Sequence, residues 1–202
     1  ELNALSQGAH LELINTQGPL DEAALRRIRQ DYLAVINAQP GDSAYVVDKL
    51  PANFRMIGLI RKALPEAHIL HMQRDPVAVC WSIYKQHFTQ SGIGYAHSLQ
   101  DTIRYYDGYT AMMQFWRSAY PDGFMDVDYE ALTRNPEPTI RAVLAYCGLP
   151  FDPACLAPED NKRSVRTASV RQVRSGIYQG SSGKWRNFAP YLADLSAHFV
   201  KT

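Results

Sequence analysis

The stretch HILHMQRDPVAVCWSIY (68–84) passes from an apolar run into a capped helix with no linker between them. HILHMQ (68–73) reads as a short buried strand. Asp75 suits an N-cap, and Pro76 suits the first helical position, where a missing N–H costs nothing. Val77, Cys80, Trp81, Tyr84 and Phe88 then recur at helical spacing. Arg74 therefore stands where a strand ends and a helix begins. Open α/β sheets bind ligands at that place, and a helix N-terminus favours anions. A surface Arg capping a sheet edge would satisfy the same stretch, so the rest of the chain has to decide.

The strand-to-helix pattern recurs. GPLDEAALRRIRQDYLAVINAQPGD (18–42) reads as a helix stopped by Pro40-Gly41, and SAYVVDKLP (43–51) as a strand ending at Asp48-Lys49. ANFRMIGLIRKALPEA (52–67) reads as a helix, TQSGIGYAH (89–97) as a Gly-bearing loop. SLQDTIRYYDGYTAMMQFWRSAY (98–120) is a long helix that opens with capping-box spacing at Ser98 and Asp101. FMDVDYE (124–130) is a third strand. NPEPTIRAVLAYCGLP (135–150) is a helix with Asn135 as cap, Pro136 first and Gly148 past the end. ELNALSQ (1–7) is ambiguous, FDPACLAPEDN (151–161) irregular, and 190–199 a closing helix. Strands alternating with helices argue for the α/β class, with a parallel sheet covered on both faces. Three strands are few for such a sheet. The 202 residues suit one domain, 1–202.

Net charge is +1, so no general attraction to nucleic acid is implied, but the charge is unevenly placed. Lys162, Arg163, Arg166, Arg171, Arg174, Lys184 and Arg186 fall between Asn161 and Phe188 with no Asp or Glu among them, which leaves the remainder at −6. That asymmetry marks the segment as a candidate anion binder. Cys80, Cys147 and Cys155 show neither metal spacing nor a disulfide framework. With no Asn-x-Ser/Thr sequon, they lean towards a reducing, cytoplasmic compartment. No apolar run is long enough to span a bilayer, so no membrane role is expected. His68 and His71 are three apart on a strand, point to opposite faces and cannot easily share a metal.

Three expected strands end in polar clusters: Asp48-Lys49, Arg74-Asp75 and Asp128-Tyr129-Glu130. In a parallel sheet all three lie along one edge. Lys49, Arg74 and the cationic segment together make a site for an anion of more than one charge, since Arg forks onto phosphate-like oxygens and Lys supplies a point charge. Taken singly, Lys49 is also a plain solvated strand end and Tyr129 a plain strand aromatic. SGIYQGSSGKW (175–185) is not a Walker A loop, because its Lys precedes Trp rather than Ser or Thr.

DKLPANFRMIGLI (48–60), ILHMQRDPVAVCWSIY (69–84), VDYEALTRNPEPTIRAVLAYCGLP (127–150) and TASVRQVRSGIYQGSSGKWRNF (167–188) stand in an order that resembles the sulfotransferases using 3′-phosphoadenosine 5′-phosphosulfate (PAPS). The likeness is to the branch containing bacterial tetratricopeptide-linked and tyrosylprotein sulfotransferases. It implies a P-loop-NTPase-like three-layer sandwich, PAPS as co-substrate and no metal. Arg74 and Ser82 match the family's 3′-phosphate binders, Tyr129 its adenine contact, and Lys184 and Arg186 its cationic Gly-rich loop. Lys49 and Ser169 match residues that stabilise the transferring sulfuryl group. The family's 5′-phosphosulfate loop has no counterpart here. Glu1 would then be the general base that follows that loop, and the domain N-terminally incomplete.

The function implied is sulfuryl transfer to an acceptor hydroxyl on a protein tyrosine, a carbohydrate or a small molecule. Oligomeric state stays open. Two rivals remain on the residues alone. A kinase of similar architecture needs a Walker A Lys-Ser/Thr and a magnesium ligand, and neither is visible. A non-enzymatic domain could bind a polyanion through the basic segment alone.

Overall fold

The computed structural model describes residues 4–16, 18–39, 43–88, 92–160 and 176–200. The chain forms two compact units: Glu1–Ile69 with Met112–Gly123, and Leu70–Ala111 with Phe124–Thr202.

The first unit is helical. The ambiguous N-terminal stretch is α1 (Ala4–Thr16), and α2 (Glu22–Asn37) begins where the Asp21 carboxylate accepts the Ala24 N–H at 2.7 Å. α3 (Ile57–Ala63) follows a 3₁₀ turn over Pro51–Met56. Leu5, Ala9, Ile28, Ala63 and Leu64 form the core. Arg27 forks onto Glu12 with bonds of 2.8 and 2.6 Å, and this holds the Glu12 carboxyl below its ordinary range. The expected strand over 43–51 is absent. Its backbone is irregular, Val47 is 90% exposed, and Tyr45 and Val46 are exposed too. An apolar run becomes a strand only where a neighbour takes up its N–H and C=O groups, and among the described residues none pairs with it.

The second unit carries the sheet. β1 (Leu70–Gln73) and β2 (Met125–Asp128) pair in parallel, with Leu70 opposite Met125 and Gln73 opposite Asp128. Each strand runs into a helix capped by Asp. Asp75 accepts from Ala78 N at 2.6 Å to open α4 (Pro76–Tyr84), and Asp128 accepts from Ala131 N at 2.8 Å to open α6 (Tyr129–Arg134). Tyr129 and Glu130 are therefore first-turn helical residues, not strand residues as expected. α5 (Leu99–Ala119), whose residues from Met112 onward belong to the first unit, starts with the Ser98 hydroxyl accepting the Asp101 N–H at 3.3 Å, as the spacing implied. α7 (Pro136–Tyr146) begins at Pro136, but Asn135 makes no side-chain cap. α8 (Ala193–Val200) closes the chain. Val77, Cys80, Ile103, Leu192 and Leu195 are the core, with Trp81, Tyr106, Trp185 and Phe199 against it. The protein is thus a mixed helix–strand chain with a small parallel sheet, compatible with an α/β sulfotransferase fold. Among the described residues the sheet has two strands, one fewer than expected.

Candidate functional site

The register of the strands builds the site. Gln73 and Asp128 are partners, so Arg74 and Tyr129, one residue further on, emerge side by side at the carboxyl end of a parallel pair. The Arg74 guanidinium lies over the Tyr129 ring, 4.8 Å from its centroid. Its Nε donates to Ser182 Oγ at 2.9 Å. Ser182 in turn donates to Glu130 Oε1 in a short hydrogen bond, and the Asp75 N–H reaches the same oxygen at 3.4 Å. Tyr129 OH and Ser181 Oγ are 2.8 Å apart. Arg74, Tyr129, Glu130, Ser181 and Ser182 are all half-buried.

Ser181 and Ser182 begin a 3₁₀ segment, Ser181–Tyr191, that follows Gly180. Gly180 has φ +87°, a left-handed conformation that a side chain would strain. Gly183 leaves room for a cation: a Cβ there would stand 3.2 Å from Arg186 Nη1. Lys184 and Arg186 are exposed. Lys184 Nζ stands 5.2 Å from the Tyr178 ring centroid, and Arg186 Cζ 5.0 Å from that of Trp185. The Trp185 indole N–H is buried without a hydrogen-bond partner among the described residues.

The α4 N-terminus is less of an anion site than the sequence implied, because the Asp75 carboxylate already occupies it. Ser82 is half-buried on α4, and among the described residues no hydrogen bond engages its hydroxyl. The Nη1 and Nη2 groups of Arg74 likewise have no partner among those residues. This leaves four N–H donors on a cation whose Nε and flat face are already held.

Of the three polar clusters expected on one edge, two stand together: Arg74-Asp75 and Asp128-Tyr129-Glu130. Lys49 is exposed and belongs to the first unit, in irregular backbone and not at a strand end. Glu1 and Ser169 lie outside the described residues, as does most of the cationic segment. Sequence reasoning passed over Ser181 and Ser182, although they sit in the Gly-rich stretch from which the resemblance picks out Lys184 and Arg186. The signal was there: two hydroxyls between two glycines, just before Lys184.

Tyr95, in the Gly-bearing loop, stacks on Tyr105 with centroids 3.8 Å apart and planes 4° apart. The Thr102 hydroxyl donates to its carbonyl at 2.9 Å. Among the described residues no cluster of His, Cys, Asp or Glu could hold a metal ion, and no helix is long and apolar enough to cross a membrane.

The family model described as "Sulfotransferase family" matches residues 4–153. A protein of Aquifex aeolicus (strain VF5), named "Uncharacterized protein", is 36% identical over 177 residues, which is 87% of this chain and 23% of the relative. The chain thus spans less than a quarter of that relative's length. It belongs to the sulfotransferase family, whose members move sulfuryl groups and generally take them from PAPS. The family-model match ends at residue 153, before Ser181 and Ser182.

Proposed function

We propose that this chain is the catalytic domain of a PAPS-dependent sulfotransferase acting on an acceptor hydroxyl. In this reading it belongs to the tetratricopeptide-linked and tyrosylprotein-like branch, with a P-loop-NTPase-like sandwich. The observation that carries the reading is Arg74, braced at the carboxyl end of two parallel strands with both Nη groups unengaged among the described residues. Such a group suits a phosphate with two or three oxygens to share. The half-buried Ser82 hydroxyl adds a donor of the kind a phosphate accepts.

In this reading PAPS supplies an already activated sulfuryl group, and the protein's work is positioning and charge stabilisation. Arg74 and Ser82 hold the 3′-phosphate, Tyr129 borders the base, and Lys184 and Arg186 offset the nucleotide's charge. Lys49 and Ser169 stabilise charge on the transferring group, and Glu1 takes the acceptor's proton. The acceptor carries a hydroxyl on a protein tyrosine, a carbohydrate or a small molecule. Neither nucleic acid nor a membrane has a part in the reaction.

Calorimetric titration with adenosine 3′,5′-bisphosphate, with ATP and magnesium as the control, tests this. Selective binding of the bisphosphate supports the reading. Preference for ATP with magnesium would favour a kinase. Affinity only for a sulfated polymer, lost steeply with salt, would favour charge-driven binding without catalysis.

A further inference from the structure

We infer that Ser182 and Glu130 are positioning residues that set the Arg74 guanidinium for the 3′-phosphate of the nucleotide. The inference rests on the proposed function and adds to it how the phosphate-binding cation is aimed.

A serine hydroxyl has one proton and two lone pairs. In Ser182 the proton goes to Glu130 Oε1, so only lone pairs remain for Arg74, and the Arg74 Nε–H meets one at 2.9 Å. Glu130 thereby fixes the direction in which Ser182 accepts. The carboxylate is itself tied to the backbone just past Arg74 by the Asp75 N–H.

The arrangement also keeps a negative charge off the cation. Arg74 forms no ion pair with Glu130 or any other described carboxylate, because the Ser182 hydroxyl stands between the two. A direct Arg74–Glu130 pair would spend the forked Nη donors and cancel the charge that an anion needs. Through Ser182 only the Nε donor is used. The neighbouring Ser181 does the same service for Tyr129, whose ring supports the guanidinium from its face. Two consecutive serines thus hold the two residues that follow the paired strands. Fixing a long side chain before its ligand arrives removes part of the ordering cost from binding.

The test uses the full chain and two nucleotides, adenosine 3′,5′-bisphosphate and adenosine 5′-monophosphate, which lacks the 3′-phosphate. Ser182→Ala and Glu130→Ala should each weaken the bisphosphate about tenfold, the scale of one hydrogen bond to a charged group, and leave the monophosphate nearly unchanged. Glu130→Gln, which keeps an acceptor for Ser182, should retain most of the preference. The double alanine variant should bind no worse than the weaker single one, since both act through one path. Equal losses for both nucleotides, or no loss, would overturn the inference. A wild-type chain that does not prefer the bisphosphate would instead overturn the PAPS reading. In that case exchange of the Arg74 Nε proton, followed by NMR without ligand, decides on the positioning itself. Faster exchange in Ser182→Ala and Glu130→Ala supports it, and unchanged exchange refutes it.

Discussion

His71 of β1 and Asp126 of β2 are register partners, and their side chains meet across the strands, with His71 Nδ1 2.5 Å from Asp126 Oδ1. The other ring nitrogen, Nε2, is 2.5 Å from Tyr109 OH. A neutral imidazole has one N–H, and a carboxylate can only accept. In the neutral ring, Nδ1 donates to Asp126 and Nε2 accepts from Tyr109. The ring also meets Phe124 edge-on, with centroids 6.0 Å apart. This bridge lies three residues before Arg74 and adds a side-chain tie to the short backbone ladder. Asp126→Ala removes the partner of a mostly buried N–H and should cost about 1–3 kcal/mol. Urea unfolding measures the loss, and an unchanged midpoint would show that the pair is not a structural tie.

Arg74→Lys is not a conservative change at this site. Arg74 uses Nε for Ser182 and its flat face for Tyr129, while its two Nη groups have no partner among the described residues. A lysine has one nitrogen for all of these tasks. Bisphosphate affinity should fall more than about tenfold in Arg74→Lys, nearly as far as in Arg74→Ala, because a charge-assisted contact is worth roughly 1.5–3 kcal/mol. Lysine restoring wild-type binding would mean that only the charge matters there, and that the bracing by Ser182 and Tyr129 does not.

Local chemistry made much of this legible in the sequence. Asp75, Pro76, Ser98 and Gly148 each act where their caps and backbone preferences put them, because those effects depend on a few neighbouring atoms. Pairing was less legible. SAYVVDKLP has the apolar content of a strand but no described neighbour to join, so composition alone misplaced it. Arg74 was found from its position at a strand end. Ser182 lies 108 residues further along, and no local pattern connects the two. Its hydroxyl matters only because the folded chain returns it to the end of β1.

Gly148 offers a cleaner stability test than the site does. It follows α7 with φ +67°, its N–H donating to the Ala145 carbonyl at 3.1 Å and the Leu149 N–H to that of Leu144 at 2.8 Å. That pair of bonds is a Schellman close, which needs the left-handed conformation. A Cβ at this position would meet nothing within 4 Å, so the whole effect of Gly148→Ala comes from the backbone. The cost should be about 1–2 kcal/mol, read by urea unfolding. Gly148→Asn should recover part of it, since Asn tolerates this region better than Ala. Gly58→Ala is different in kind, because its Cβ would stand 2.8 Å from the Trp116 ring. There the penalty is steric, about 1–3 kcal/mol, and Asn would make it worse.

Stability should fall on the alkaline side. Burial pushes the Cys80 thiol up to about 12, with Asp107 and Asp75 adding to it. Tyr32 rises to about 12 through burial and then Asp48, and Tyr95 to about 12 through burial and then Tyr105. In the unfolded chain a cysteine loses its proton near ~8.5 and a tyrosine near ~10. Between those values and about 12 the folded protein therefore holds more protons than the unfolded one, and stability declines as pH rises. The contribution is fully present at neutral pH. Urea midpoints at about pH 7.5 and about pH 10.5 check this, with the lower midpoint expected at the higher pH. Thiol alkylation checks the Cys80 part separately, since only the thiolate reacts. The exposed Cys155 should be modified in the native protein, and the fully buried Cys80 only as the chain unfolds. Rapid native alkylation of Cys80 would mean that its pocket opens to solvent without global unfolding.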